Sequence, residues 1–162
     1  MGKALVHRAD FLAGIVNLSD KAFKARIDLL PPSVNRMYVY TTRGPRPSGE
    51  MKKFKAKAAS QIAKQVLFDK PPLSPEKPYR LVIDFYLPAL YNSGWPKKAK
   101  TRFKRRDVSN LIKVVEDVVS ACLGIDDSCF TEVHVRKLHG PKYNFEGLDI
   151  SIYELSDETT RA

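Results

Sequence analysis

The residues with the clearest capacity for chemistry lie between Lys104 and Asp127, in the run KRRDVSNLIKVVEDVVSACLGIDD. The run joins a basic stretch to a polar set (Ser109, Asn110, Lys113, Glu116, Asp117) and ends on two adjacent carboxylates, Asp126 and Asp127. Magnesium takes hard oxygen ligands and keeps several waters, so a phosphodiester-cleaving centre needs only a few carboxylates, with substrate phosphate completing the shell. Asp107, Asp126 and Asp127 are the candidate ligands. Bound Mg2+, or Mn2+ in its place, would polarise a phosphate and lower the pKa of an attacking water. Lys113 is placed to hold the phosphate or offset its developing charge, and Asp117, one helical turn later, can pair with it. Each group also has an ordinary structural role: Asp107 as a helix cap, Asp126 and Asp127 as turn residues, Lys113 and Asp117 as a surface ion pair. Their co-occurrence beside the basic run favours the chemical role, because adjacent carboxylates repel unless a cation or solvent offsets them.

Positioning these groups requires a helix with one apolar side. At about 100° per residue, Leu111, Val114, Val115, Val118, Val119 and Cys122 fall on one side of a helix from 107 to about 123. Ser109, Asn110, Lys113, Glu116, Asp117 and Ser120 fall on the other. Asp107 suits its start and Gly124 its stop. A second helix is expected over 49–68, with Phe54, Ala58 and Ile62 on its buried side and lysines opposite. Strands are expected at 23–30, 79–87, 130–138 and 148–155. Residues 32–50 read as a long loop, 88–104 as another, and HGPKYN as the loop of a terminal hairpin. The order β-α-β-α-β-β predicts an α+β domain with a mixed or antiparallel four-stranded sheet and two main helices. Residues 1–22 are expected to be an arm, 23–155 the domain and 156–162 a tail.

The chain has 162 residues, enough for one domain, and a formal net charge of +10. Seven basic residues and no acid lie between Pro96 and Arg106: Lys97, Lys98, Lys100, Arg102, Lys104, Arg105 and Arg106. Arg43 and Arg46 open a second basic cluster that continues through Lys52, Lys53, Lys55 and Lys57. Clustered cations point to a polyanion partner through counterion release, and a solvated surface is the simpler alternative. Tyr38, Tyr40, Trp95 and Phe103 are interleaved with these cations, either to stack on unpaired bases or to pack loops or a dimer interface. No apolar run is long enough to cross a bilayer. The N-terminus lacks a signal-peptide layout. Cys122 and Cys129 are expected to be reduced, small, core-packed residues of a cytoplasmic protein.

The span RRDVSNLIKVVEDVVSACLGIDDSCF resembles the RusA family of Holliday-junction resolvases, which carries R-D-x-D-N-x-x-K, a later helix acid and a D-D pair before the next strand. LPPSVNRMY, residues 30–38, is similar to that family's P-P-S-x-N-x-x-Y motif. The resemblance covers roughly residues 25–155. It implies a homodimeric, Mg2+-dependent endonuclease of bacterial or phage-infected cells that nicks a four-way DNA junction at two symmetric positions. It casts Asp107 and Asp127, with Asp126 alongside, as metal ligands and Lys113 as the catalytic lysine. Asn110 and Asp117 match supporting helix positions, and Asn35 and Tyr38 match the N-terminal motif. The basic residues of both loops would track phosphates. Ser109 departs from the pattern, which has a second aspartate there. Three outcomes stay open: the other acids suffice, Glu116 compensates from about 10 Å along the helix, or the site is degraded. The last defines the alternative function, a non-catalytic binder of branched or single-stranded nucleic acid. A protein-interaction module with a merely solubilising charge is a third reading.

Overall fold

In a computed structural model of the chain, residues 21–68, 73–104 and 107–156 are described. The expected arm up to residue 20, the tail from 157, Arg105 and Arg106 lie outside the described residues. The elements run β1 (Lys21–Ile27), α1 (Val34–Met37), β2 (Tyr38–Thr41), β3 (Gly44–Pro47), α2 (Gly49–Phe68), β4 (Tyr79–Leu87), α3 (Ser109–Leu123), a 3-10 turn (Asp127–Cys129), β5 (Phe130–His139), α4 (Gly140–Tyr143) and β6 (Gly147–Glu154). The protein is α+β, with a four-stranded mixed sheet ordered β1-β6-β4-β5 and a separate two-stranded sheet, β2-β3.

Alternation along the strands sends one set of side chains onto the helices and the other to the far face. Leu81, Ile83 and Phe85 of β4, Leu148, Ile150 and Ile152 of β6, and Ala25 of β1 are wholly inaccessible. They form one core with Phe54, Ala58 and Ile62 of α2 and with Leu111, Val115 and Val119 of α3. Full burial of such an aliphatic side chain contributes about 1.5–3 kcal/mol, which outweighs the weak helix propensity of the four α3 valines. Ser120, assigned by periodicity to the polar side of α3, is buried, and its hydroxyl has no partner among the described residues. Gly124 ends α3 with φ +68°, its N–H donating to Ser120 O at 2.9 Å.

On the far face a row of charges crosses all four strands. In register, Arg26 of β1 stands opposite Asp149 of β6, Asp149 opposite Asp84 of β4, and Asp84 opposite Arg136 of β5. The two central acids would repel, but each is held by an arginine through paired bonds. Arg26 reaches both oxygens of Asp149 at 2.7 Å, and Arg136 reaches both of Asp84 at 2.6 Å. Tyr86 Oη donates to Asp149 Oδ2 at 3.0 Å. Burial alone would raise Asp149, but the bonds from Arg26 and Tyr86 prevail and hold its carboxyl below the usual value of 3.8. The unfolded chain therefore takes up this proton more readily than the folded one. The stabilisation is complete above about pH 4 and is lost as pH falls through the folded value. Asp149→Asn should lower stability by about 1–2 kcal/mol at pH 7 and flatten the acid limb of a urea-melt series between about pH 5 and 2; an unchanged acid limb would remove Asp149 from the pH response.

Three expectations are corrected. Residues 32–50 are not one long loop: they hold the α1 turn and the β2-β3 hairpin, with Tyr38 opposite Pro47 and Tyr40 opposite Pro45. Prolines cannot donate to a ladder, which hid β3, yet as acceptors on a two-stranded ribbon they are tolerated. The last two strands are not a hairpin either. β5 lies parallel to β4, and β6 pairs with β4 and β1, so β4 separates them and HGPKYN becomes the α4 crossover. The first strand also begins at Lys21 rather than Phe23.

Candidate functional site

Helix α3 connects the parallel strands β4 and β5, so its two ends are held by the sheet while its polar side faces solvent. Asp107 stands just before it. Its Oδ1 accepts the Ser109 N–H and its Oδ2 the Asn110 side-chain amide, both at 3.0 Å. The capping role expected for Asp107 is thus present, displaced by one residue because Val108 occupies the cap position. A carboxylate has about four lone-pair sites, so exposed Asp107 retains acceptor capacity. Ser109, Asn110, Lys113 and Asp117 are likewise exposed.

Past Gly124 the chain turns back along α3. Asp126 caps the 3-10 turn by accepting the Ser128 N–H at 2.9 Å, and hydrogen bonding from Ser128 holds the Asp126 carboxyl below the ordinary carboxylate range. Asp127 meets Lys113: the ammonium donates to Asp127 Oδ2 and pairs with Asp117 Oδ1 at 3.2 Å. The hydrogen bond to Asp127, then that to Asp117, pushes Lys113 well above its usual range. Beside these two carboxylates Lys113 is cationic at neutral pH, and a cation here can neutralise charge on a phosphate. Glu116 is half-buried, and burial pushes its carboxyl up.

On its other side Asp107 opens onto a cavity of about 740 Å³. Residues 29–36, Leu111 and Glu146 complete the wall. The N-terminal motif is thereby brought against the head of α3, with Asn35 and Asp107 lining one space. Glu146 is the acid that sequence reasoning missed. It sits beyond α4, and no local pattern marks it, because only the fold carries it to Asp107.

Among the described residues, no three Asp, Glu, His or Cys side chains are gathered closely enough to hold a metal ion by themselves. The donor chemistry is of the kind Mg2+ takes, exposed carboxylate oxygens; Lys113 pairs with Asp117 and Asp127.

The basic residues lie on two projections. Arg43 and Arg46 belong to the β2-β3 hairpin, beside exposed Tyr38 and Tyr40. Lys97, Lys98, Lys100, Arg102 and Lys104 are exposed along residues 88–104. On α2, Lys57 is spent on Asp28 at 3.1 Å. Cys122 and Cys129 are half-buried thiols packed on the core.

The family model described as endodeoxyribonuclease RusA matches residues 29–153. The chain belongs to the RusA family. The match runs from the N-terminal motif through α3 and Asp127 to the last strand, so the candidate site residues lie inside it. No match is found among curated proteins. Among the described residues no helix is long and apolar enough to cross a membrane.

Proposed function

We propose that this RusA-family protein is a homodimeric, Mg2+-dependent endodeoxyribonuclease that resolves four-way DNA junctions by paired symmetric nicks. The observation that carries the reading is the return of Asp127 onto Lys113, fourteen residues earlier, on a helix headed by Asp107. Asp107, Asp126 and Asp127 would hold the metal, with Mn2+ able to substitute. When bound, the metal supplies Lewis acidity to the phosphate and a more acidic water. Lys113, held beside Asp127 and Asp117, would bind the same phosphate group and offset its charge. Asn110 steadies Asp107, and Asp117 keeps Lys113 in place between turnovers. Asn35, across the cavity, and the cations of the two projections track the sugar-phosphate backbone, contacts that position DNA without reading sequence.

Ser109 leaves one charge fewer than the family pattern. A neutral hydroxyl at the first turn of α3 predicts weaker metal binding rather than none, because Asp107, Asp126 and Asp127 all remain. Glu146 adds a carboxylate to the wall beside Asp107.

The test is cleavage of a labelled four-way junction with Mg2+, with Mn2+ and with chelator, comparing the natural chain with Ser109→Asp. Paired nicks that vanish in chelator, and a lower metal requirement in Ser109→Asp, are expected. A tight complex that stays uncut with either metal would instead assign the non-catalytic role. Junction affinity should fall steeply with salt, and Lys97→Ala with Lys98→Ala should reduce the log–log slope by about 0.9 per phosphate contact removed.

A further inference from the structure

Residues 88–104, between β4 and α3, form a closed and braced projection rather than a slack connection. Lys104 N–H donates to Leu90 O at 2.9 Å and Asn92 N–H to Arg102 O at 2.8 Å, flanking a Tyr91–Phe103 bridge. The Asn92 side-chain amide donates across the neck to Thr101 O and Phe103 O, each at 2.9 Å. At the tip, Trp95 N–H donates to Asn92 O at 3.2 Å and Lys98 N–H to Gly94 O at 2.5 Å.

Three aromatic side chains stand on this frame without being buried by it. Tyr91, Trp95 and Phe103 are 43%, 47% and 53% exposed, although the Tyr91 and Phe103 rings lie 5.7 Å apart and could have closed a private apolar cluster. Around them are five lysines and arginines and no acid. Among the described residues none of the five is in an ion pair; Arg102 instead lies 5.5 Å from the Tyr91 ring centre. A braced surface of exposed rings set among unneutralised cations fits a polyanion that offers π-faces. Intact duplex offers the charge but keeps its base faces stacked. DNA with unpaired or unstacked bases offers both.

We infer that the 88–104 projection is the element that distinguishes branched DNA from duplex, with Trp95 stacking on an unpaired base at the branch point while the surrounding cations hold the flanking phosphates. The inference rests on the DNA-cleaving reading for its substrate, but not on the metal site. Stacking on an aromatic side chain is sequence-tolerant, because every base has a π-face.

Trp95 is the chain's one tryptophan, so fluorescence excited beyond tyrosine absorption reports on this position alone. The experiment titrates the full chain, in chelator, with a four-way junction and with a duplex of the same length, each to saturation. Trp95 emission is expected to be quenched by the junction and little changed by the duplex. Trp95→Ala is expected to weaken junction binding about tenfold or more with duplex affinity unchanged, and Trp95→Phe to restore most of the preference. Equal quenching by both DNAs, or an equal loss of affinity for both in Trp95→Ala, would overturn the inference. A chain that cuts junctions while Trp95 treats both DNAs alike keeps its nuclease assignment and loses only this one. Selective quenching without cleavage under Mg2+ or Mn2+ does the reverse. Absence of binding to either DNA would sink both.

Discussion

Asp107→Asn should reduce junction cleavage by about a hundredfold to a thousandfold, the range seen when one preorganised electrostatic group is removed from a site, while leaving the fold and DNA affinity in place. The substitution separates two roles that coincide in this residue. As a cap, Asp107 accepts the Ser109 N–H at 3.0 Å, and an asparagine carbonyl oxygen can accept the same bond with nearly equal effect. The melting temperature should therefore move by no more than about 2 °C, a shift worth about 0.5–1 kcal/mol at most. As the proposed metal ligand, Asp107 would contribute a negative charge that the amide lacks, and Ser109 offers no spare charge beside it. Binding measured in chelator should be unchanged or slightly tighter, since one repulsive carboxylate is gone from a surface that meets phosphates. Cleavage that survives Asp107→Asn at the natural rate would remove the head of α3 from the chemistry and shift attention to the Lys113–Asp127 end.

Gly147→Ala is expected to be the most damaging single methyl in the described fold. Gly147 begins β6 at φ +150°, and an added Cβ would lie 2.1 Å from the Ile27 backbone oxygen, 2.7 Å from Phe145 Cζ and 3.1 Å from Asp28 Cα. Two of these atoms are backbone and cannot turn aside. Ile27 also stands in register with Leu148, so relieving the contact means parting β1 from β6 at their junction. Phe145 is constrained as well: Arg26 lies 4.3 Å from its ring centre and Tyr86 packs edge-on at 5.1 Å. Backbone strain and overpacking together should cost about 3 kcal/mol or more, a loss of about 10 °C in a melt followed by circular dichroism. Because Glu146 precedes the clash, the cavity beside Asp107 should be disturbed too. A melt within about 2 °C of the natural chain would mean that the start of β6 is far more yielding than its contacts indicate.

Much of this protein was legible in local patterns. The 49–68 helix and the 79–87 strand follow from periodicity bounded by Gly and Pro, because the repeat of buried positions is set within the element itself. The polar side of α3 follows for the same reason: 3.6 residues per turn puts Asn110, Lys113 and Asp117 together whatever the helix packs on. Where local pattern misled, a distant partner had intervened. Ser120 lies on the polar side by angle and is buried by its surroundings. The segment HGPKYN has the length of a hairpin loop, yet β5 leaves it to pair with β4 instead of β6.

Amino-acid order alone determined the α+β class, the helix that carries the candidate site residues, the spacing of its polar side and the excess of cations. Only the tertiary structure decided which strands are neighbours, that Asp127 turns back onto Lys113, that Asn35 and Glu146 share a cavity with Asp107, and that residues 88–104 are braced. The division has one physical cause. Periodicity records which side of an element is buried, whereas partners far apart in sequence meet only once a common core and its charges select a single arrangement. Here the row Arg26–Asp149–Asp84–Arg136 places each acid beside an arginine because β1 and β5 flank the two acid-bearing strands; putting both arginine strands on one side of the sheet would leave an acid without an arginine neighbour, a condition no single strand records.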